Sequence, residues 1–117
     1  MIVGTGIDII EIGRIRKLVE SQPRFPDRVL TEKEKTVFNQ YNERRGVEFL
    51  AGRWAAKEAF SKAKGTGIGK ELSFMDIEIE NDIHGRPIVT RPFMEGVHLT
   101  ISHSEQYAIA QVIIEKI

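Results

Sequence analysis

Glu58 is the acidic residue with the most suggestive setting. It lies in the run Arg53-Trp54-Ala55-Ala56-Lys57-Glu58-Ala59-Phe60-Ser61-Lys62-Ala63-Lys64, one carboxylate among the cations Arg53, Lys57, Lys62 and Lys64, just before a glycine-rich loop. A site for magnesium and a polyphosphate needs that mixture: hard oxygen ligands for the ion, ammonium and guanidinium groups for the phosphate oxygens. Magnesium takes one or two carboxylates and leaves its other positions to phosphate and water. The plain alternative is a solvated ion pair, because Glu58 and Lys62 stand one helical turn apart. Asp8 ends a strand-like segment, with Glu11 three residues later, and reads either as a helix cap or as a second metal ligand. His103, within Ser102-His103-Ser104, lies between two strand-like runs. A turn histidine is its ordinary reading, and an adjacent serine does not make a triad without a third group in the right geometry.

Two glycine motifs are excluded. Gly65-Thr66-Gly67-Ile68-Gly69-Lys70 is one residue short of a phosphate loop, puts Glu71 where a hydroxyl should bind magnesium, and follows a helix where a phosphate loop opens one. Gly4 and Gly6 lack the third glycine of the dinucleotide fingerprint. The chain has 17 Lys+Arg against 17 Asp+Glu, so no global field recruits nucleic acid or an anionic membrane. With no cysteine, disulfides, thiolate zinc sites and a cysteine nucleophile are all ruled out, and any metal must use oxygen or histidine. No apolar run reaches membrane-span length, and Met1–Ile7 lacks the features of a signal peptide, so a cytoplasmic location is expected. Arg24, Arg28, Arg44 and Arg45 form either a solvated face or a docking patch for an acidic partner.

These residues must be held by elements that the patterning describes. The 117 residues are one domain's worth, 1–117. Met1–Ile7 reads as a strand, and Ile12, Ile15, Leu18 and Val19 recur at helical spacing within Glu11–Ser21 until Pro23 and Pro26 end the pattern. Thr31 with Glu34 has capping-box spacing, so a second helix starts there, turns Val37, Phe38 and Tyr41 inward, and is broken by Asn42–Gly46. Val47–Lys64 is the main helix, with Leu50, Ala51, Trp54, Ala55, Ala59 and Ala63 on one apolar stripe. Phe74–Glu80 and Pro87–Thr90 flank Asn81–Gly85 as a β-hairpin, and His98–Ser102 and Gln106–Ile114 are two further strands. The last is apolar on both faces, which predicts that both are covered by helix, sheet or another subunit. The expected class is α+β, a small antiparallel sheet packed on a long helix.

Taken together, the chain resembles holo-acyl-carrier-protein synthase, the small bacterial type of 4′-phosphopantetheinyl transferase. The resemblance is carried by Gly6-Ile7-Asp8-Ile9-Ile10-Glu11-Ile12 with Arg14, the WAxKEAxxKA helix pattern at Trp54–Ala63, Asn81 with Gly85-Arg86-Pro87, and Ile101-Ser102-His103 with Tyr107-Ala108. It runs over nearly the whole chain, and the helix pattern is its most specific part. Departures are minor: Arg86 replaces a common lysine and Thr100 a frequent serine. The resemblance implies transfer of the phosphopantetheine arm of coenzyme A to a serine of an apo acyl carrier protein, with release of adenosine 3′,5′-bisphosphate, as a step serving fatty acid biosynthesis. It implies magnesium (Mg2+) held by Asp8 and Glu58, Lys62 on the pyrophosphate, and a general base that is either one of the carboxylates or a water on the metal. It further implies a nucleotide site at Arg53, His103 and the Asn81–Pro87 hairpin, including Gly85, Arg86 and Pro87, and close approach of the pantetheine arm at Gly65. Carrier docking falls to Arg14, Arg24, Phe25 and Arg28, and the assembly to a homotrimer with sites between subunits. Two other classes compete: a non-enzymatic module that binds an acidic protein and needs no magnesium, and a metal-dependent nuclease. The second is disfavoured by zero net charge and the lack of an aromatic stacking patch.

Overall fold

A computed structural model describes residues 1–117. The chain opens with β1 (Ile2–Glu11), which passes without a loop into α1 (Ile12–Ser21). The strand therefore runs past Ile7 and includes Asp8, which is not a helix cap. Glu11 holds the cap position of α1, and its side chain makes no capping bond. A short helix, α2 (Phe25–Val29), forms where the sequence reading places none. Pro26 sits in its first turn, where the missing N–H has no intrahelical partner to lose. α3 (Glu32–Phe38) starts at the expected capping box, in which Thr31 Oγ1 accepts from the Glu34 N–H and the Glu34 carboxylate accepts from the Thr31 N–H.

α4 (Glu43–Lys64) begins four residues before the expected Val47. Asn42 starts it, its side-chain oxygen accepting from the Arg45 N–H at 2.9 Å. Gly46, expected to break a helix, lies inside this one because the Phe38 ring packs against it and leaves little room for a side chain. The expected single stripe is also too narrow. Buried residues occur on nearly every face from Gly46 to Ala63, so α4 is the central strut of the molecule. It ends at Gly65, whose φ of 84° is the left-handed conformation that glycine adopts without strain.

A 3₁₀ turn at Phe74–Asp76 takes the first half of the expected Phe74–Glu80 strand; β2 (Glu78–Asn81), β3 (Pro87–Arg91), β4 (Val97–His103) and β5 (Tyr107–Glu115) follow. The strands form two antiparallel sheets, β1-β5-β4 and β2-β3. The α+β class with antiparallel strands on a long helix is as expected. Asp82 Oδ1 closes the β2–β3 turn by accepting from the His84 and Arg86 N–H groups, and Gly85 there has φ 82°.

One side of the three-stranded sheet covers α4 and buries Ala108, Ala110, Val112 and Ile114. The other side, with Ile7, Ile9, Tyr107, Ile109 and Ile113, is left open by this chain; Ile9 is 60% exposed. An apolar face of this extent marks an interaction surface. On the covered side, Gly4 and Gly6 bring β1 flush against the backbone of Ala59 and Ala63, where any side chain would collide. No helix is long and apolar enough to cross a membrane.

Candidate active site

In the alternation of β1, Asp8 shares the inward face with Gly6 and Ile10, so the close strand–helix contact carries its carboxylate to α4. There the Lys62 ammonium donates to Asp8 Oδ1 at 3.2 Å and to the Ile7 carbonyl at 3.0 Å. The i,i+4 ion pair between Glu58 and Lys62 is not formed, because Lys62 turns to the strand. Asp8 Oδ2 is buried and has no hydrogen-bond partner. Glu58 is half-buried beside it, and its pKa is raised, first by burial and then by the Asp8 charge, with Lys62 opposing. A buried acceptor without a donor and two carboxylates that repel each other are both relieved by a cation between them. The donor set, carboxylate oxygens from two residues, is of the kind magnesium takes when it draws its remaining ligands from phosphate and water.

The other cations flanking Glu58 in sequence do not surround it in space. Lys57, about 100° around the helix from Glu58, is fully buried against Glu34 at 2.7 Å. Lys64 lies over the Phe93 ring, 5.4 Å from its centre. Arg53 is five residues from Glu58, about 140° around a helix, and belongs to a second cluster.

That cluster is a cleft of about 160 Å³ whose lining includes Arg53, Asn81, Gly85, Pro87 and His103 together with Tyr41, Arg45, Phe49 and one carboxylate, Glu48. Arg53 Nη2 donates to Asn81 Oδ1 at 3.3 Å, and the guanidinium sits 4.4 Å over the Phe49 ring. Its Nε is buried without a partner, and burial lowers its pKa from the ordinary arginine value. The cleft thus holds a buried guanidinium with unused donor capacity, the feature an anionic group would satisfy. Arg86 does not line it; its guanidinium turns back to Asp82 at 3.1 Å. Gly65 lies beyond Lys62 at the C-terminal end of α4. Asp8 pairs with Ala110 and Ala110 with Ile101, so the whole width of β5 separates β1 from the strand that carries His103, about 10 Å. Within one chain the expected site residues form two groups facing different ways.

A family model described as the 4′-phosphopantetheinyl transferase superfamily matches residues 4–112. The chain belongs to that superfamily. The holo-[acyl-carrier-protein] synthases of Anoxybacillus flavithermus and Geobacillus kaustophilus are 57% and 58% identical to it over the whole chain, which spans 98% and 92% of their lengths. A crystal structure of the holo-(acyl-carrier-protein) synthase of Bacillus anthracis, in complex with CoA (3′,5′-ADP), superposes with a TM-score of 0.89. That protein is 53% identical, over 97% of this chain and 96% of its own. The resemblance read from the sequence is therefore correct. The chain is an enzyme of the transferase class, and the non-enzymatic alternative is set aside.

Of the four residues expected to dock a carrier, three lie at the surface. Arg14, Arg24 and Arg28 are exposed, and Arg14 and Arg24 have no acidic partner. Arg28 donates to the Gln22 side chain at 2.8 Å. Phe25 is a correction: it is 7% exposed, packed at a tilt against Trp54 with ring centres 5.7 Å apart, and so is core and offers no docking surface. The sequence reading also missed Tyr41, Arg45 and Phe49 as cleft residues. Arg45, Phe49 and Arg53 are spaced four apart, a signal that becomes readable only when α4 starts at Glu43.

Proposed function

We propose that this transferase moves the 4′-phosphopantetheine group of coenzyme A to a serine of an apo acyl carrier protein, with magnesium, and releases adenosine 3′,5′-bisphosphate. The observation that carries this reading is the unpartnered, buried Asp8 Oδ2 beside Glu58, within reach of Lys62. Asp8 and Glu58 would hold the ion, which when bound offsets charge that builds on the leaving phosphate. Lys62, half exposed, would be free to leave Asp8 for the pyrophosphate, and an ion held by Asp8 would replace the counter-charge that Lys62 gives up. Arg53 and His103 bind the nucleotide end with its 3′-phosphate, and the β2–β3 hairpin covers it through Asn81, Gly85 and Pro87. Gly65 gives the pantetheine arm room to pass.

The division of these residues into two groups supports a homotrimer. A neighbouring copy packed on the open sheet face, beside the Asp8 strand, completes the site with its own Arg53 cleft. Arg14, Arg24 and Arg28 dock the acidic carrier, and charge complementarity of this kind mainly raises the encounter rate. A cytoplasmic setting accords with a chain free of cysteine.

The test is to incubate the protein with coenzyme A, magnesium and an apo acyl carrier protein and then weigh the carrier. A gain equal to one phosphopantetheine group, dependent on both coenzyme A and magnesium, is expected. An unchanged carrier mass with demonstrably folded enzyme would overturn the reading.

A further inference from the structure

Lys57 and Glu34 are buried charges that the mechanism above does not use. Their side chains are 0% and 1% exposed. The Lys57 ammonium donates to the Val29 carbonyl at 2.6 Å, to Glu34 Oε1 at 2.7 Å and to the Phe74 carbonyl at 3.0 Å, so each of its three protons is placed. Glu34 Oε1 also accepts from the Thr31 N–H, and Oε2 accepts from the Ile79 N–H, both at 2.8 Å. One ion pair thus ties the end of α2, the start of α3, the 3₁₀ turn and β2 to the middle of α4.

Two of these ties lead straight to the cleft. Ile79 is two residues before Asn81 on β2, so both point to the same side of the hairpin. Arg53 lies one helical turn before Lys57, on the same face of α4. Glu34, Arg53, Ile79 and Asn81 also share the wall of a cavity of about 230 Å³ adjoining the cleft. Apolar residues of equal volume would stabilise a core at least as well as a buried ion pair. What they could not supply is direction, because only a hydrogen-bonded pair fixes four backbone segments at set distances from one helix.

We propose that Glu34 and Lys57 are positioning residues: they set the height of the β2–β3 hairpin over α4 and thereby hold Asn81 against Arg53 in the nucleotide cleft. The inference rests on the assignment of that cleft to coenzyme A. It makes affinity for coenzyme A depend on a pair that never touches it, while the Asp8–Glu58–Lys62 group, on another face of α4, is left alone.

The experiment uses the full chain with Glu34→Met combined with Lys57→Met, which removes both charges and so avoids a buried unpaired ammonium. Methionine has no oxygen to accept from the Ile79 N–H, so the hairpin anchor is lost while the core stays filled; Glu34→Gln with Lys57→Met keeps one acceptor oxygen and is the milder comparison. Hydrogen exchange should show faster opening at Ile79 with unchanged protection in β1 and β5. The KM for coenzyme A should rise about tenfold, the scale of losing one well-placed polar contact, with kcat within about twofold and the magnesium titration unchanged. A merely structural pair would speed exchange everywhere and lower kcat at constant KM, and that result, or wild-type exchange at Ile79, overturns the proposal. If the wild-type protein transfers no phosphopantetheine, the functional reading fails, and exchange at Ile79 still decides whether the pair anchors the hairpin.

Discussion

Replacing Gly6 with alanine would test how closely β1 must lie to α4 for the two carboxylates to meet. An ideal Cβ at Gly6 would stand 2.8 Å from the Ala63 nitrogen and 3.0 Å from the Ala59 carbonyl carbon, and nearer still to the Ala59 carbonyl oxygen. Those atoms are helix backbone and cannot rotate away. Ordinary contact begins at 3.4 Å, so strand and helix must separate by about 1 Å. Overpacking of this kind costs about 1–3 kcal/mol, which a domain with a stability of roughly 5–15 kcal/mol survives. The melting temperature should fall by several degrees, at about 4 °C per kcal/mol for a chain of this size. Asp8 is two residues along the same strand and moves with it, and a displacement of about 1 Å in a reacting constellation lowers turnover on the order of 100-fold. The assay is the rate of carrier mass gain beside a thermal melt. Gly13→Ala is the control, since nothing lies within 4 Å of its added methyl group: turnover should stay near wild type and the melting temperature should hold or rise slightly, because alanine favours α1 more than glycine does. A Gly6→Ala enzyme with wild-type turnover and melting temperature would show that the flush contact does not set the site.

Glu58→Gln should abolish transfer yet raise the melting temperature in metal-free buffer at neutral pH. The folded carboxyl binds its proton more tightly than the unfolded one, whose value is 4.5, so ionised Glu58 opposes folding above its raised pKa and not below 4.5. Melts across this range should show the gain shrinking as pH falls, and a gain that persists under acid would exclude the cause given. Arg14→Glu should raise the KM for the carrier protein, most at low salt, and leave that for coenzyme A unchanged; equal KM values for wild type and variant would remove Arg14 from the docking patch. If the proposed homotrimer forms through the open sheet face, Ile9→Lys should convert it to monomers in sedimentation and stop turnover, whereas a trimer that persists would place the subunit interface elsewhere.

Local chemistry made much of the fold legible. The Thr31–Glu34 capping box and the Asn81–Pro87 turn are contained within a few residues, and both form where their spacing puts them. Gly46 and Pro26 misled for a shared reason: each disfavours a helix on its own, and each is overridden by context, the first by the Phe38 ring and the second by its place in a first turn. At the site, Lys62 reaches Asp8, and Glu58 lies near enough to feel its charge, a proximity that only the resemblance implied and no local spacing could reveal. The direction taken by Lys57 was hidden, because an alanine-rich helix buried on most faces carries no amphipathic signal to tell a phosphate-facing lysine from a core one. Phe25 was misplaced for the converse reason, since its neighbours Arg24 and Arg28 are exposed and only the tertiary contact with Trp54 turns it inward.

The central claim is that Asp8 and Glu58, fifty residues apart in the chain, hold one magnesium ion beside a pyrophosphate. A crystal structure of the protein grown with magnesium and coenzyme A tests it most directly. One ion is expected, with an oxygen of each carboxylate about 2.1 Å away and the Lys62 ammonium moved from Asp8 to a phosphate oxygen. An ion bound elsewhere, or an Asp8 that keeps Lys62 while coenzyme A is bound, would contradict it.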